Sequence, residues 1–186
     1  MSGPSELKAA FLKDELWMLT IAGAFQHNKV YSGNTSNTQR DNFRNCLREY
    51  TECFIVPQYY RCVSENQHII NLKKLQNYSR FCGNGVILNN KLNIGTVQKL
   101  LNLYLKYLWC IDEIVMPPHC PLDSTVLNAV GLGNISWTNM QTISDYESTI
   151  KVVKSKANNI PIAYWELNLF NCNRKEISCC NPVIKD

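Results

Sequence analysis

Apolar and polar residues follow one another along most of the chain with the period of an amphipathic α-helix. Apolar positions recur three or four residues apart, which places them on one face of a helix and predicts seven helical segments. The predicted helices cover residues 7–25, 38–54, 67–81, 95–110, 123–130, 144–157 and 160–170.

Helix-breaking residues separate these segments. The stretch 26–38 is rich in Asn, Ser and Gly and is predicted to be a loop. Pro57 ends or bends the second helix, and Gly83 closes the third. Three prolines between 117 and 121 forbid a helix before Asp123.

Strand signals are weak in this sequence. Residues 54–56 and 85–88 are short apolar runs without a hairpin signal between them. We therefore predict an all-α fold, with residues 1–186 forming one compact helical domain and a frayed tail after Ser178.

Composition supports a globular protein. Of the 186 residues, 45% are hydrophobic and 18% are charged, which leaves enough apolar surface for one buried core. No apolar run approaches the roughly 18 residues of a membrane span, and residues 1–13 lack the features of a secretory signal. We expect a monomer without a membrane partner inside the cell, either cytoplasmic or nucleoid-associated.

Charge and cysteine content narrow the chemistry only slightly. The net charge of +4 is compatible with a polyanionic partner. The nine cysteines are an odd number, and no Cys-x-x-Cys pair is present. We expect most of them to be small buried hydrophobic residues, and we expect neither a metal site nor a cofactor.

The segment 89–130 contains the most informative pattern. A turn leads into a helix that is apolar almost all round, and a proline-rich loop then leads into the next helix. Lys99 lies early in the first helix, Lys106 lies two turns later on the same face, and Asp123 begins the second helix. In a buried helix the lysines must be paired or have shifted pKa values; otherwise they extend along one exposed stripe to solvent.

Each end of this segment has two interpretations. The backbone N–H groups of Ile94, Gly95 and Thr96 can bind an anion such as a DNA phosphate. They can equally form an ordinary helix start, capped by Asn93 or Thr96. Asp123 is well placed to cap its helix, and a capping carboxylate can also point into a cleft.

Together these elements resemble the helix-hairpin-helix DNA glycosylases. The resemblance rests on the order turn, helix, loop and helix, with Lys99 and Asp123 lying 24 residues apart and Pro121-Leu122-Asp123 before the second helix. The spacing of Lys99 and Lys106 is most similar to the archaeal 8-oxoguanine DNA glycosylase branch. That branch lacks iron–sulfur cysteines, as does this chain.

The resemblance implies a helix-hairpin-helix element and a reaction on double-stranded DNA. The enzyme would flip one damaged or modified nucleotide out of the stack. Lys99, or Lys106 as the alternative nucleophile, would attack the sugar and displace the base, with or without subsequent strand cleavage by a lyase step. Asp123 would assist the proton transfer. The implied phosphate contacts are Ile94, Gly95, Thr96 and Thr125.

Candidates for a base pocket come from two places in the chain. The end of the first helix offers aromatic and hydrogen-bonding side chains, and a histidine between prolines precedes Asp123. For the tryptophan, core packing is the competing interpretation. These candidates are Trp17, Phe25, Gln26, His27 and His119.

Two other functions remain open from the sequence. A non-catalytic DNA-binding helical module would keep the phosphate contacts without the reaction. A helical interaction protein would have no role with nucleic acid. A cysteine nucleophile, Cys120 beside His119, has no evident orienting partner and is the weakest of the hypotheses.

Overall fold

A computed structural model describes residues 3–173 of the chain. Seven α-helices lie in this part, which confirms the prediction of an all-α fold. Predicted and observed helix ends differ by only a few residues in most cases, as expected for boundaries. The helices are α1 (Pro4–Phe25), α2 (Asn37–Tyr50), α3 (Glu65–Cys82), α4 (Ile94–Cys110), α5 (Ser124–Ala129), α6 (Ile143–Ala157) and α7 (Ile162–Asn173).

Shorter helical turns complete the fold. After α2 the chain continues as a π-helical turn, Thr51–Ile55, and a 3-10 turn, Val56–Tyr60, that contains Pro57. Two further 3-10 turns lie at Leu88–Asn90 and Trp137–Asn139. The only β-type pairing within residues 3–173 is an isolated bridge between Tyr31 and Ile87.

Side-chain caps fix the starts of five helices. In each case the oxygen of a Ser, Thr, Asn or Asp side chain accepts the backbone N–H three residues later, which satisfies a donor that the helix itself cannot pair. The capping residues are Ser36, Ser64, Asn93, Asp123 and Thr142.

Helix α4 lies at the centre of the molecule and is buried over almost its whole length. Helix α1 packs along it, with the ring of Trp17 edge-on to Tyr104 at 5.1 Å between centroids. Gly23 allows close approach of the two helices, since a Cβ atom there would lie 2.7 Å from Cδ2 of Leu103. The apolar character of α4 in the sequence therefore reflects burial on all sides.

The connection between α3 and α4 does not show the expected helix-hairpin-helix element. Residues 83–93 form this connection, and they include the 3-10 turn Leu88–Asn90 with Asn89 and Asn90 at positive φ. The same stretch carries Ile87, which pairs with Tyr31. Helix α4 thus begins after an irregular loop anchored to the segment that follows α1.

A buried polar cluster joins α3, the loop before α5, and α6. The hydroxyl of Tyr59 lies 2.7 Å from Nδ1 of His68, and that of Tyr146 lies 2.9 Å from Nδ1 of His119. The two imidazole rings contact each other edge-on at 4.7 Å between centroids. Burial lowers the pKa of His119 to about 3, with a further contribution from Lys154. Burial and the neighbouring His119 lower the pKa of His68 in the same direction.

The cysteines do not follow the prediction that most are buried. Among residues 3–173, only Cys120 is buried, whereas Cys53, Cys62 and Cys110 are exposed. The exposed cysteines lie on solvent-facing positions of helices and turns, which their residue type alone does not reveal. Cys179 and Cys180, and the tail after Ser178 that we expected to fray, lie outside the described residues.

None of the helices in residues 3–173 is both long enough and apolar enough to cross a membrane. Leucine-rich α4 comes nearest in composition, yet it has 17 residues and carries two lysines. Its apolar surface is buried within the protein instead.

The buried histidines predict an acid-sensitive fold. The unfolded chain takes up protons near the ordinary histidine pKa of 6.5, whereas the folded chain does so only at much lower pH. Below pH 6.5 the unfolded state therefore binds more protons, and the free energy of unfolding falls as the pH falls. We expect a decrease of about 1.4 kcal/mol per pH unit for each buried histidine, measured by urea unfolding between pH 6.5 and 4.5.

The exposed residue His27 provides the matched control. We expect His27→Asn to keep the steep pH dependence and His119→Asn to reduce its slope, whatever the absolute stability of either variant. A free energy of unfolding that stays constant between pH 6.5 and 4.5 would contradict the assignment of neutral, buried imidazoles.

Candidate functional site

Four polar side chains lie on the otherwise apolar helix α4, and all four are buried. Gln98 and Asn102 have no exposed surface, while Lys99 and Lys106 expose only 7% and 6%. Because a buried polar group without a partner is costly, each of the four must find one inside the protein. Their partners come from the loop before α5 and from α7.

Gln98 and Asn102 hold the proline-rich loop. The side-chain amide of Gln98 donates to the carbonyl of Leu122 at 2.8 Å, and its oxygen accepts the Leu122 N–H at 3.0 Å. Asn102 donates to the carbonyl of Cys120 at 3.0 Å and to the Tyr146 hydroxyl at 3.0 Å. The loop thereby lies in a defined register along α4, with Asp123 next to the first turn of that helix.

Lys99 and Asp123 form the ion pair at the centre of this candidate site. The Lys99 Nζ lies 2.7 Å from Oδ2 of Asp123, and the other carboxylate oxygen accepts the Val126 N–H at 3.0 Å. Asp123 is thus a helix cap and a lysine partner at once. Burial raises the pKa of the Asp123 carboxyl, but the attraction of Lys99 and the two hydrogen bonds outweigh it, so that the pKa lies below its ordinary value.

Access distinguishes this pair from other buried charges. The side chain of Asp123 is 23% exposed and that of Lys99 is 9% exposed. A lysine amine can act as a nucleophile once it has lost its proton, and an adjacent carboxylate can accept that proton. The pair therefore has the composition required for covalent chemistry at an electrophilic carbon, and solvent reaches it from the Asp123 side.

Lys106 forms a second ion pair, with Glu166 of α7. The Lys106 Nζ lies 2.8 Å from Oε1 of Glu166 and also 4.2 Å from the ring centroid of Phe170. Both charged side chains are less than 10% exposed, and Oε2 of Glu166 has no hydrogen-bond partner. Burial raises the pKa of Glu166, and Lys106 offsets this only in part. This enclosure favours a structural role for Lys106 over that of the alternative nucleophile.

The start of α4 does not present its backbone to a phosphate as we expected. The Gly95 N–H donates to the carbonyl of Met140 at 2.9 Å, and the Thr96 N–H donates to the side chain of Asn93 at 2.8 Å. Ile94 and Thr96 are buried with 1% and 2% exposure. The loop Trp137–Asn139 covers this helix end, and Asn93 is the cap, as in the alternative interpretation. Thr125, the fourth predicted phosphate contact, is half-buried on α5.

The five base-pocket candidates are not brought together. Trp17 is buried between α1 and α4, and Phe25 packs in an aromatic group with Tyr31 and Phe43. Gln26 is exposed. The alternative interpretation, core packing, therefore describes Trp17 and Phe25.

His27 and His119 line two different cavities. His119 is buried beside Tyr146, and its Nε2 lies 3.9 Å from Glu65. The cavity at His119 measures about 130 Å³. His27 instead lines a cavity on the Asp123 side of the molecule. The candidates at the end of the first helix and the one before Asp123 consequently do not form one pocket.

A depression of about 410 Å³ lies beside the Lys99–Asp123 pair, within the size range of small-ligand sites. It reaches Ser124, the residue after Asp123, and its lining contains hydroxyl, amide and imidazole groups but no charged side chain apart from the titratable His27. The lining residues are His27, Ser124, Gly133, Asn134, Ile135, Ser136, Trp137 and Thr138.

Three residues of the site are not among the sequence-based candidates. Gln98 and Asn102 carry a signal that the sequence does contain, namely two amides four residues apart on a helix that is apolar elsewhere. Glu166 carries no such signal, because its contact with Lys106 depends on how α7 packs against α4. A group of three or more His, Cys, Asp or Glu side chains that could hold a metal ion is absent from residues 3–173.

Comparison of the chain with models of protein families, with curated proteins and with solved structures finds no match. The chemistry of the site is therefore interpreted from its own geometry.

Gly95 tests the packing at the start of α4. A Cβ atom at this position would lie 1.9 Å from the carbonyl oxygen of Trp137, so Gly95→Ala must displace the loop Trp137–Asn139. We expect a loss of about 3 kcal/mol in the free energy of unfolding. Gly33→Ala is the control, since a Cβ there meets nothing within 4 Å; it should change stability by less than about 0.5 kcal/mol. Equal stabilities of the two variants would contradict the observed loop position.

The second ion pair predicts a non-additive effect on stability. Lys106→Met leaves the Glu166 carboxylate buried without its partner and should cost about 3 kcal/mol or more at pH 7. The double variant Lys106→Met/Glu166→Leu removes both charges and should recover most of this loss. Urea unfolding of the four members of the cycle measures the coupling; simple additivity would rule out a purely structural ion pair.

Proposed function

We propose that this protein is a DNA glycosylase that excises a damaged or modified base from double-stranded DNA, with an associated lyase step. The observation that carries the proposal is the 2.7 Å contact between Lys99 Nζ and Asp123 Oδ2 at the solvent-accessible end of a buried helix pair. The sequence pattern of the glycosylases predicts this juxtaposition of lysine and aspartate, which are 24 residues apart in the chain.

The reaction would begin with a nucleotide rotated out of the DNA stack, at a cost of a few kcal/mol. Asp123 accepts a proton from the Lys99 ammonium, and the neutral amine attacks the anomeric carbon of the sugar. The bond from that carbon to the base breaks, and the base leaves with the electron pair and takes up a proton. Opening of the sugar ring gives a Schiff base on Lys99, from which elimination of the 3′ phosphate cleaves the strand.

Asp123 suits this role because its carboxylate is held in place by the Val126 N–H. Its low pKa keeps it ionised at neutral pH, so that it stabilises positive charge that develops on the sugar. The same property makes it a weak base, and the proton that it takes from Lys99 must pass on rapidly to water at its exposed side.

The depression beside Asp123 is the proposed site of the extruded base. Its uncharged lining of His27, Ser124 and Asn134 suits the hydrogen-bonding edge of a nucleobase. The indole of Trp137 forms part of its wall and is 5% exposed. These contacts would orient the sugar of the same nucleotide towards Lys99.

A second candidate is a helical interaction protein without a role on DNA. The observation that favours it is the exposed apolar surface of α1, where Leu7, Phe11 and Met18 are 61%, 65% and 62% exposed. Large exposed apolar residues close together mark surfaces that bind other proteins. A protein of this kind would bind duplex DNA weakly and without a steep dependence on salt, unlike a protein that contacts phosphates.

Borohydride trapping on a duplex that contains an abasic site tests the glycosylase proposal. We expect the wild-type protein to form a covalent adduct, because borohydride reduces the Schiff base to a stable amine. Lys99→Gln should abolish the adduct, and Asp123→Asn should slow its formation by about 100-fold or more. Denaturing gel electrophoresis and mass spectrometry of the adduct peptide identify the modified lysine.

Two controls make the outcome specific. Lys91→Gln removes an exposed lysine near the start of α4 and should leave the adduct unchanged. Lys106→Met/Glu166→Leu removes the second ion pair and should also retain it. An adduct lost only with Lys106 would identify that residue as the nucleophile, whereas no adduct and no salt-dependent DNA binding would favour the interaction protein.

A further inference from the structure

A second cavity lies between α1 and α2, away from the Lys99–Asp123 pair. It measures about 370 Å³, which falls within the range of sites for small molecules. One wall comes from α1 and is apolar; the other comes from α2 and is polar. The lining residues are Trp17, Met18, Ile21, Ala22, Asp41, Arg44 and Asn45.

The apolar wall contains a buried donor without a partner. Trp17 is 4% exposed, and its ring is fixed edge-on against Tyr104. The indole Nε1 is fully buried yet donates no hydrogen bond. A buried N–H of this kind is uncommon in folded proteins, because burial without an acceptor is costly. An acceptor that enters the cavity beside Trp17 would satisfy it.

The polar wall offers a cation. Arg44 makes a salt bridge with Asp41, one turn earlier on the same helix. Asp41 is 58% exposed, and such solvent-exposed pairs contribute little stability, so that the guanidinium can exchange its partner. Arginine has five N–H donors in a planar fork, which suits a carboxylate. Arg44 and Trp17 thus present donors from opposite walls.

We propose that this cavity binds a small amphiphilic carboxylate. The apolar part of the ligand packs against Met18, Ile21 and Ala22, while the carboxylate oxygens accept hydrogen bonds from Arg44 and from Trp17 Nε1. None of the lining residues belongs to the Lys99–Asp123 site, so this binding site does not depend on the function proposed above.

Charge selects this class of ligand over two others. A cationic ligand would meet Arg44 and would have only Asp41, which is already paired, as a partner. A neutral ligand with a carbonyl group would satisfy Trp17 but leave the cation of Arg44 unused. The carboxylate and its amide therefore differ in affinity only if Arg44 takes part.

Titration of the full-length ¹⁵N-labelled protein with 3-phenylpropanoate tests this proposal. The chain has four tryptophans, and contacts with Tyr104 identify the indole N–H signal of Trp17. We expect a saturable shift of that signal with a Kd of about 1 mM, and about tenfold weaker binding of 3-phenylpropanamide. Arg44→Gln should reduce the affinity for the carboxylate to that for the amide.

Arg40→Gln is the charge-matched control on the same helix. Arg40 lies over the ring of Tyr31 and does not line the cavity, so its replacement should change Kd by less than about twofold. Ala22→Phe fills the cavity from its rim and should abolish the shift. Absence of a saturable shift below about 10 mM, equal affinity for acid and amide, or equal effects of the two arginine variants would each overturn the proposal.

Discussion

The two amides of α4 hold the candidate site together. Helix α4 is surrounded by other elements, so every polar side chain on it needs a partner within the protein. Gln98 meets this requirement by pairing with both backbone groups of Leu122, and Asn102 does so with Cys120 and Tyr146. Three prolines keep the loop irregular and leave its backbone groups available for these bonds. The position of Asp123 therefore depends on residues that take no part in the proposed reaction.

The helices and the central pair could be predicted from the sequence because the signals for them are local. Apolar periodicity predicted the seven helices, and Asp123 marked a helix start through its capping position. The proximity of Lys99 to Asp123 followed from a turn-helix-loop-helix order in which two helix ends meet. Each inference used residues separated by one loop at most.

Contacts between distant segments could not be predicted in this way. Gly95 suggested an anion site, but the close approach it permits is that of Trp137, more than 40 residues later. Glu166 lies 60 residues after Lys106, and nothing in either local sequence indicates their pairing. The base-pocket candidates on α1 failed to converge for a similar reason: Trp17 and His27 are ten residues apart and line different cavities. Packing of whole helices decides all three outcomes.

The two ion pairs of α4 illustrate how similar residues acquire different roles. Both join a lysine to a carboxylate at under 3 Å, and burial raises the pKa of both carboxyl groups. At Asp123 a backbone N–H and partial exposure to water oppose that effect, whereas Glu166 has an oxygen with no partner and almost no exposure. A substrate can approach the first pair without unfolding the protein, but it cannot approach the second. Accessibility therefore makes Lys99, rather than Lys106, the residue to which the proposed chemistry is assigned.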